Sequence, residues 1–268
     1  MDKIRELKDL NLLDRFLFAE ASELPEVMIP MLEIILGKDV VLKHLPQSEK
    51  EIRRAVWSKI VRMDVLSVDR EDTLYEMEVQ KNDTGNLLRR SRAYNSYIDS
   101  KILPPGNLDY NALNDVYIIM VMPFDLFGEG KYMYTFRMMS EEVQGLKLND
   151  GATRIFLNTR GTDSEGVTEE LIELLHYFEK STEETIQETS SSRLRQIHDN
   201  VQRIKETEEV GIRLMNAWEE KMIDRQEAYE EGMKEGMKDT ACKMKAAGMP
   251  TEQIIEFTGL TAEEIEKL

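Results

Sequence analysis

Leu74-Tyr75-Glu76-Met77-Glu78-Val79-Gln80 alternates with a period of two, with Tyr75, Met77 and Val79 on one side and Glu76, Glu78 and Gln80 on the other. Alternation of this kind is the mark of a β-strand. Just upstream, Val61, Met63 and Val65 alternate with Arg62, Asp64 and Leu66, and Arg70, Glu71 and Asp72 form a polar turn between the two runs. The whole reads as a β-hairpin. If the turn is those three residues, Asp69 pairs with Thr73 and Asp64 lands opposite Glu78. Directly opposed residues share a face, with Cβ atoms about 4.5–5.5 Å apart. Gln80 shares that face with Glu78. A slip of one residue would separate the two acids.

Upstream of the hairpin, Leu7, Leu10, Leu13 and Leu17, and then Met28, Met31, Leu32 and Ile35, recur at helical spacing. Pro25 and Pro30 reset the pattern, so two helices are expected with a break around residues 22–25, the second ending at Gly37. Downstream, Leu88, Tyr94, Ile98 and Ile102 mark a helix stopped by Pro104, Pro105 and Gly106. Residues 116–122 are continuously apolar, as in a strand buried on both faces. Residues 132–138 and 154–158 are further strands. Beyond Thr168 the chain reads as helical: 169–180, one long charged stretch over 201–247, and a small terminal pair around Gly259 and Leu260. Thr261 with Glu264 fits a capping box. The expected organisation is a mixed α/β domain over residues 1–180, a charged helical extension over 181–247 and a terminal helix pair over 248–268.

The 268 residues carry 35 bases and 52 acids, a net charge of −17. Taken whole, that opposes nucleic-acid binding, but the charge is uneven. Residues 163–268 hold 26 acids and 13 bases, whereas residues 1–162 hold 26 and 22. Within residues 81–101, Lys81, Arg89, Arg90, Arg92 and Lys101 face only Asp83 and Asp99, so a basic patch sits on a nearly neutral domain. The longest apolar runs are too short to span a membrane, and the first ten residues mix acids with bases, unlike a signal peptide. A cytoplasmic protein is expected. One cysteine, Cys242, excludes an intrachain disulfide. His44, His176 and His198 match no metal-ligand spacing, and neither a P-loop nor a dinucleotide-binding glycine pattern is present. Ser190, Ser191 and Ser192 lack the glycine elbow of a nucleophile.

Two opposed carboxylates repel unless a cation or a proton intervenes. Oxygen ligands of this type suit Mg²⁺ or Mn²⁺. The bland alternative is equally simple: an antiparallel strand with one wet face carries charges there as a matter of course.

The pair Arg62-Met63-Asp64-Val65-Leu66 and Tyr75-Glu76-Met77-Glu78-Val79-Gln80 resembles the metal-binding core of the PD-(D/E)XK nucleases, and more narrowly the PD-(D/E)XK nuclease family transposases. The resemblance extends through Leu13 to Phe18, Arg90 to Tyr94, Tyr110 to Leu113, Val116 to Phe127, Tyr132 to Arg137 and Ile155 to Gly161. It implies a restriction-endonuclease-like core, a mixed central sheet flanked by helices, followed by a long helical C-terminal region. It also implies a metal-dependent DNA endonuclease acting in recombination, mobile-element or defence settings. Asp64 and Glu78 match the acidic motif positions and would hold Mg²⁺ or Mn²⁺ with the carbonyl of Val79. Gln80 stands where the superfamily usually has lysine, and Met63 where it has proline. The glutamine is common in the narrower family, but it removes a positive charge from the reacting phosphate. Asp64, Glu78 and Gln80 are the implied catalytic set. Arg62, Arg90 and Arg92 are the candidates for DNA phosphate, with intramolecular salt bridges as the alternative for them. Glu20 is either an additional acid near the metal or part of a solvated helix face, and Lys59 reads as a surface lysine. The alternative function is a weakly active or inactive nuclease-fold module that binds DNA or protein, or drives assembly. The methionine and aromatic positions of the long helix allow a homodimer.

Overall fold

The computed structural model describes residues 5–52, 61–102, 106 and 109–268; side chains are described for these except at 48–52 and 61–64. Among the described residues six strands form one mixed sheet in the order β1-β2-β3-β4-β6-β5. The strands are β1 (Gln47–Ile52), β2 (Val61–Val68), β3 (Leu74–Val79), β4 (Val116–Met122), β5 (Met133–Phe136) and β6 (Ala152–Asn158). β1, β2 and β3 pair antiparallel, β3, β4 and β6 pair parallel, and β5 closes the far edge antiparallel to β6.

The β2–β3 hairpin has the expected three-residue turn. Asp69 donates its N–H to the carbonyl of Thr73. The Asp69 carboxylate accepts from the N–H groups of Glu71 and Thr73, both at 2.9 Å, and from the Tyr75 hydroxyl at 2.7 Å. Asp72 takes a left-handed backbone, φ 63°, which short polar residues tolerate better than most. The turn sets the register Val65–Met77, Leu66–Glu76, Ser67–Tyr75 and Val68–Leu74.

The apolar run of β4 is explained by its place in the middle of the sheet, between β3 and β6. Helix α3 (Leu87–Ile102) connects the parallel strands β3 and β4 and packs on β2 and β4. Its Leu87, Tyr94 and Ile98 join Leu66, Leu74, Val116, Ile118, Met120, Met122 and Phe156 in one core layer. The alternate residues Val65, Tyr75, Met77, Val79, Ile119, Val121 and Leu157 are buried as well, so both faces of the sheet are covered.

Helices α1 (Arg15–Ser22) and α2 (Pro25–Leu36) precede the sheet, with the break where it was expected. Asp14 caps α1 by accepting from the Phe16 N–H. Pro25 opens α2, and Gly37 closes it with φ 65°. Pro30 sits inside α2 without ending it. It cannot donate to the Glu26 carbonyl, and Gln196 supplies a replacement donor at 2.9 Å. Then come α4 (Glu169–Glu179), the short α5 (Glu183–Ile186), α6 (Ser192–Glu206), α7 (Glu208–Ala246), α8 (Thr251–Thr258) and α9 (Ala262–Glu266). The chain divides into two compact units, Met1–Gly211 and Ile212–Leu268. In the first, α6 packs against α2 and buries Leu194, Ile197 and Val201. In the second, Ala241, Ile254, Leu260 and Ile265 make a small core, and Thr261 and Glu264 form the expected capping box.

Two features depart from the sequence reading. β1 was not anticipated, because Gln47–Ile52 is polar and shows no alternating apolar face. The stretch read as one helix over 201–247 is two: Thr207 adopts an extended backbone between α6 and α7, and its hydroxyl donates to the Arg203 carbonyl at 2.7 Å.

Candidate metal and phosphate site

β3 is buried along its whole length. Its glutamates therefore do not line a wet face: Glu76 is 0% exposed and Glu78 1%. Glu76 pairs with Leu66 and Ile118, and Glu78 with Met120, which puts both acids on the face that α3 covers. The hairpin register, continued by one residue, sets Asp64 of β2 opposite Glu78. The side chains of Arg62 and Asp64 lie outside the described residues, and so does Lys59.

Four side chains from β3 and α3 converge at the C-terminal end of β3. Glu78 Oε1 forms an ion pair with Arg90 and accepts from Gln80 Nε2 at 2.7 Å and from the Tyr94 hydroxyl at 3.3 Å. Arg90 Nε donates to the Tyr94 oxygen at 2.7 Å, and Arg90 Nη1 donates to Gln80 Oε1 at 3.2 Å. The guanidinium also lies over the Tyr94 ring, 5.6 Å from its centroid. Helical geometry explains the pairing of Arg90 with Tyr94, since residues four apart share a face. Gln80 Nε2 also donates to the Val79 carbonyl at 2.9 Å. The amide therefore points its oxygen at the cation and its nitrogen at the two acceptors.

The other oxygen of Glu78, Oε2, is buried and accepts no hydrogen bond among the described residues. A buried carboxylate oxygen left this way costs about 1–3 kcal/mol or more. It is also a hard oxygen donor. Oxygen donors of this kind, Glu78 Oε2 and the Val79 carbonyl, suit a divalent ion that prefers oxygen ligands. No group of three or more His, Cys, Asp or Glu side chains that could hold a metal occurs among the described residues.

The remaining positions of interest are scattered. Arg92 is exposed on α3. Glu20 is half-buried on α1, a helix that packs on β1 and β2. Lys81 reaches Asp14 at the start of α1, 2.8 Å away, and so ties that helix to the end of β3. His198 is buried between the Tyr177 hydroxyl at 3.0 Å and Glu183 at 2.8 Å, and His176 stacks edgewise on Tyr132. Cys242 is an exposed free thiol. The sequence reading missed the engagement of Tyr94 with Glu78. The Arg90–Tyr94 spacing was a usable signal for the pair on α3, but nothing local links that helix face to β3.

A family model described as PD-(D/E)XK nuclease family transposase matches residues 14–232. No curated protein and no solved structure matches the chain. Among the described residues, no helix is long and apolar enough to cross a membrane.

Proposed function

The chain belongs to the PD-(D/E)XK nuclease family transposases, and from that premise we propose that it is a cytoplasmic, metal-dependent DNA endonuclease whose site is built on the β2–β3 hairpin. The observation that carries this reading is Glu78: a carboxylate 1% exposed in the centre of a sheet, with one oxygen that accepts no hydrogen bond among the described residues. A charge in that position is costly unless something compensates for it. Asp64, Glu78 and the Val79 carbonyl would hold Mg²⁺ or Mn²⁺. When bound, such an ion supplies Lewis-acid polarisation of a phosphodiester and lowers the pKa of water.

The protein's own groups do the rest. The α3 layer of Leu66, Ile118 and Met120 excludes water around Glu78 and strengthens every charge interaction there. Gln80, fixed by its bonds to Glu78, Val79 and Arg90, orients substrate or water without contributing charge. Arg62, Arg90 and Arg92 are assigned to DNA phosphate, for which the planar guanidinium is well matched. Recombination, mobile-element movement or defence against foreign DNA is the proposed setting. The test is nicking of supercoiled plasmid with Mg²⁺ or Mn²⁺ at low salt. Wild type is expected to nick. Asp64→Ala and Glu78→Ala are each expected to lose at least about a hundredfold in rate. Cleavage that survives both substitutions contradicts the assignment.

A second reading, an inactive or weakly active binding module, is favoured by one observation: Glu78 already has a cation partner in Arg90. Mn²⁺ binding without cleavage would support it. Assembly is part of either reading. Along α7, Ile212, Met215, Ile223, Tyr229, Met233 and Met237 are exposed. Residues 208–231 carry eight acids and three bases, and residues 232–246 carry two acids and four bases. Antiparallel pairing of α7 with a second copy would cover the apolar positions and match acidic half to basic half. Light scattering is expected to show a dimer that Met233→Glu weakens. A monomer at all concentrations contradicts it.

A further inference from the structure

We propose that Arg90 is the mobile cation of this site: it neutralises Glu78 before metal arrives, yields that carboxylate when a divalent ion binds, and then carries the positive charge to the DNA phosphate that Gln80 does not. The inference rests on the metal reading of Asp64 and Glu78. Three observations lead to it.

First, Glu78 is 1% exposed, while the Arg90 side chain is 29% exposed. The acid is fixed inside the sheet, and the base reaches it from the rim with part of its guanidinium toward solvent. If one partner moves, it is Arg90. Second, among the described residues the partners of Arg90 other than Glu78 are neutral: the Tyr94 hydroxyl, the Tyr94 ring and the Gln80 amide oxygen. Those contacts can hold a guanidinium near the site with the carboxylate bond broken, because two donors and the ring face remain engaged. Third, Arg90 sits directly against Gln80, the position from which a lysine would otherwise present its charge. Its Nη1 is 3.2 Å from Gln80 Oε1.

A guanidinium and a divalent cation on one carboxylate repel each other, and the repulsion is strong where the surroundings are apolar. Metal entry therefore weakens the Arg90–Glu78 bond. Equally, Arg90 holds the metal affinity of the resting protein down. The released guanidinium has several N–H donors in a planar fork suited to phosphate oxygens. Tyr94 acts as a positioning residue, holding Arg90 through Nε in both arrangements.

The experiment uses the full chain at pH 8. Mn²⁺ binding to wild type, Arg90→Gln and Arg90→Lys is measured by calorimetry, and single-turnover plasmid cleavage is then followed at saturating Mn²⁺. Arg90→Gln is expected to bind Mn²⁺ about tenfold more tightly and to cleave about a hundredfold more slowly. Arg90→Lys, which keeps the charge, is expected to bind Mn²⁺ close to wild type and to retain most of the cleavage. A residue that only braces Glu78 would give the opposite sign, with weaker Mn²⁺ binding in Arg90→Gln. That result, or unchanged binding, overturns the proposal, as does full cleavage by Arg90→Gln at saturation. If wild type binds no Mn²⁺, the metal reading falls and this inference with it. If binding tightens in Arg90→Gln while no chain cleaves DNA, the nuclease reading and the phosphate role fall, and the competition between Arg90 and metal stands.

Discussion

β3 and α7 invert the usual burial rule in opposite directions. β3 hides two glutamates in the middle of a sheet, at 0% and 1% exposure, while α7 leaves Ile212, Met215, Tyr229 and Met233 largely in solvent. Exposed apolar residues are common and individually uninformative, whereas a buried carboxylate is rare and needs a partner. At Glu78 the cost of burial is met by contacts from Arg90, Gln80 and Tyr94, with one oxygen that accepts no hydrogen bond among the described residues. At α7 the same kind of anomaly has only periodicity and charge asymmetry behind it.

Phe178 is fully buried against Phe18, ring centroids 6.1 Å apart. Phe178→Ala is expected to cost about 3–5 kcal/mol, read as a lower midpoint in urea. Met233→Ala on α7 is expected to stay within about 0.5 kcal/mol at concentrations where the chain is monomeric. Equal losses would mean that α7 is not the exposed element described above.

The Glu78–Arg90 pair gives a finer probe. Arg90→Met leaves a buried carboxylate without its cation and is expected to destabilise by about 3 kcal/mol. Glu78→Met alone leaves a partly exposed arginine that solvent can reach, so its cost is smaller. The double variant is expected to be as stable as wild type or more so, since apolar replacement of a buried pair is often neutral or favourable. A double variant with the summed loss of the two singles would show that the two residues act independently.

The smallest expected effect is on the acid limb of stability. Burial pushes the Glu170 carboxyl up, but hydrogen bonds from Arg193 and Ser191 and the Arg193 charge outweigh it and hold it below its ordinary value. Glu179 behaves alike, with Arg160 and Thr159 as the partners. A carboxyl whose pKa is depressed on folding adds stability above its unfolded value, about 4.3 for glutamate. That stability is lost as pH falls through the folded value. Melting temperature is therefore expected to drop below about pH 4.3, and to drop less steeply in Glu170→Gln. An unchanged acid limb in that variant would contradict the linkage.

Much of the sheet was legible from local chemistry. The polar turn at Arg70, Glu71 and Asp72 fixed the β2–β3 register, because hairpin pairing is set by turn length. Val116 to Met122 read as a central strand because only a strand covered on both sides is apolar throughout. β1 was not legible: it is a polar edge strand whose pairing comes from β2 rather than from its own pattern. The break at Thr207 was also hidden, since the helical spacing continues across it and threonine carries no strong stop signal. At the site, the alternation of β3 identified which residues share a face but gave both faces equal claim to solvent. That Glu76 and Glu78 are covered follows from α3 crossing from β3 to β4, a long-range event. The contact between Arg90 and Glu78 depends on that same crossing, so spacing alone left Arg90 open between phosphate and salt bridge.

The proposed metal ligand is the buried carboxylate of β3, Glu78. The most direct test is the shift in melting temperature of the full chain on adding Mn²⁺, compared between wild type and Glu78→Gln. Binding to the folded state alone stabilises it by about 2.7 kcal/mol at a hundredfold excess over Kd. Wild type is expected to melt several degrees higher with Mn²⁺, and Glu78→Gln to melt at the same temperature with and without it. An equal Mn²⁺-induced rise in both chains, or no rise in wild type, would contradict the account.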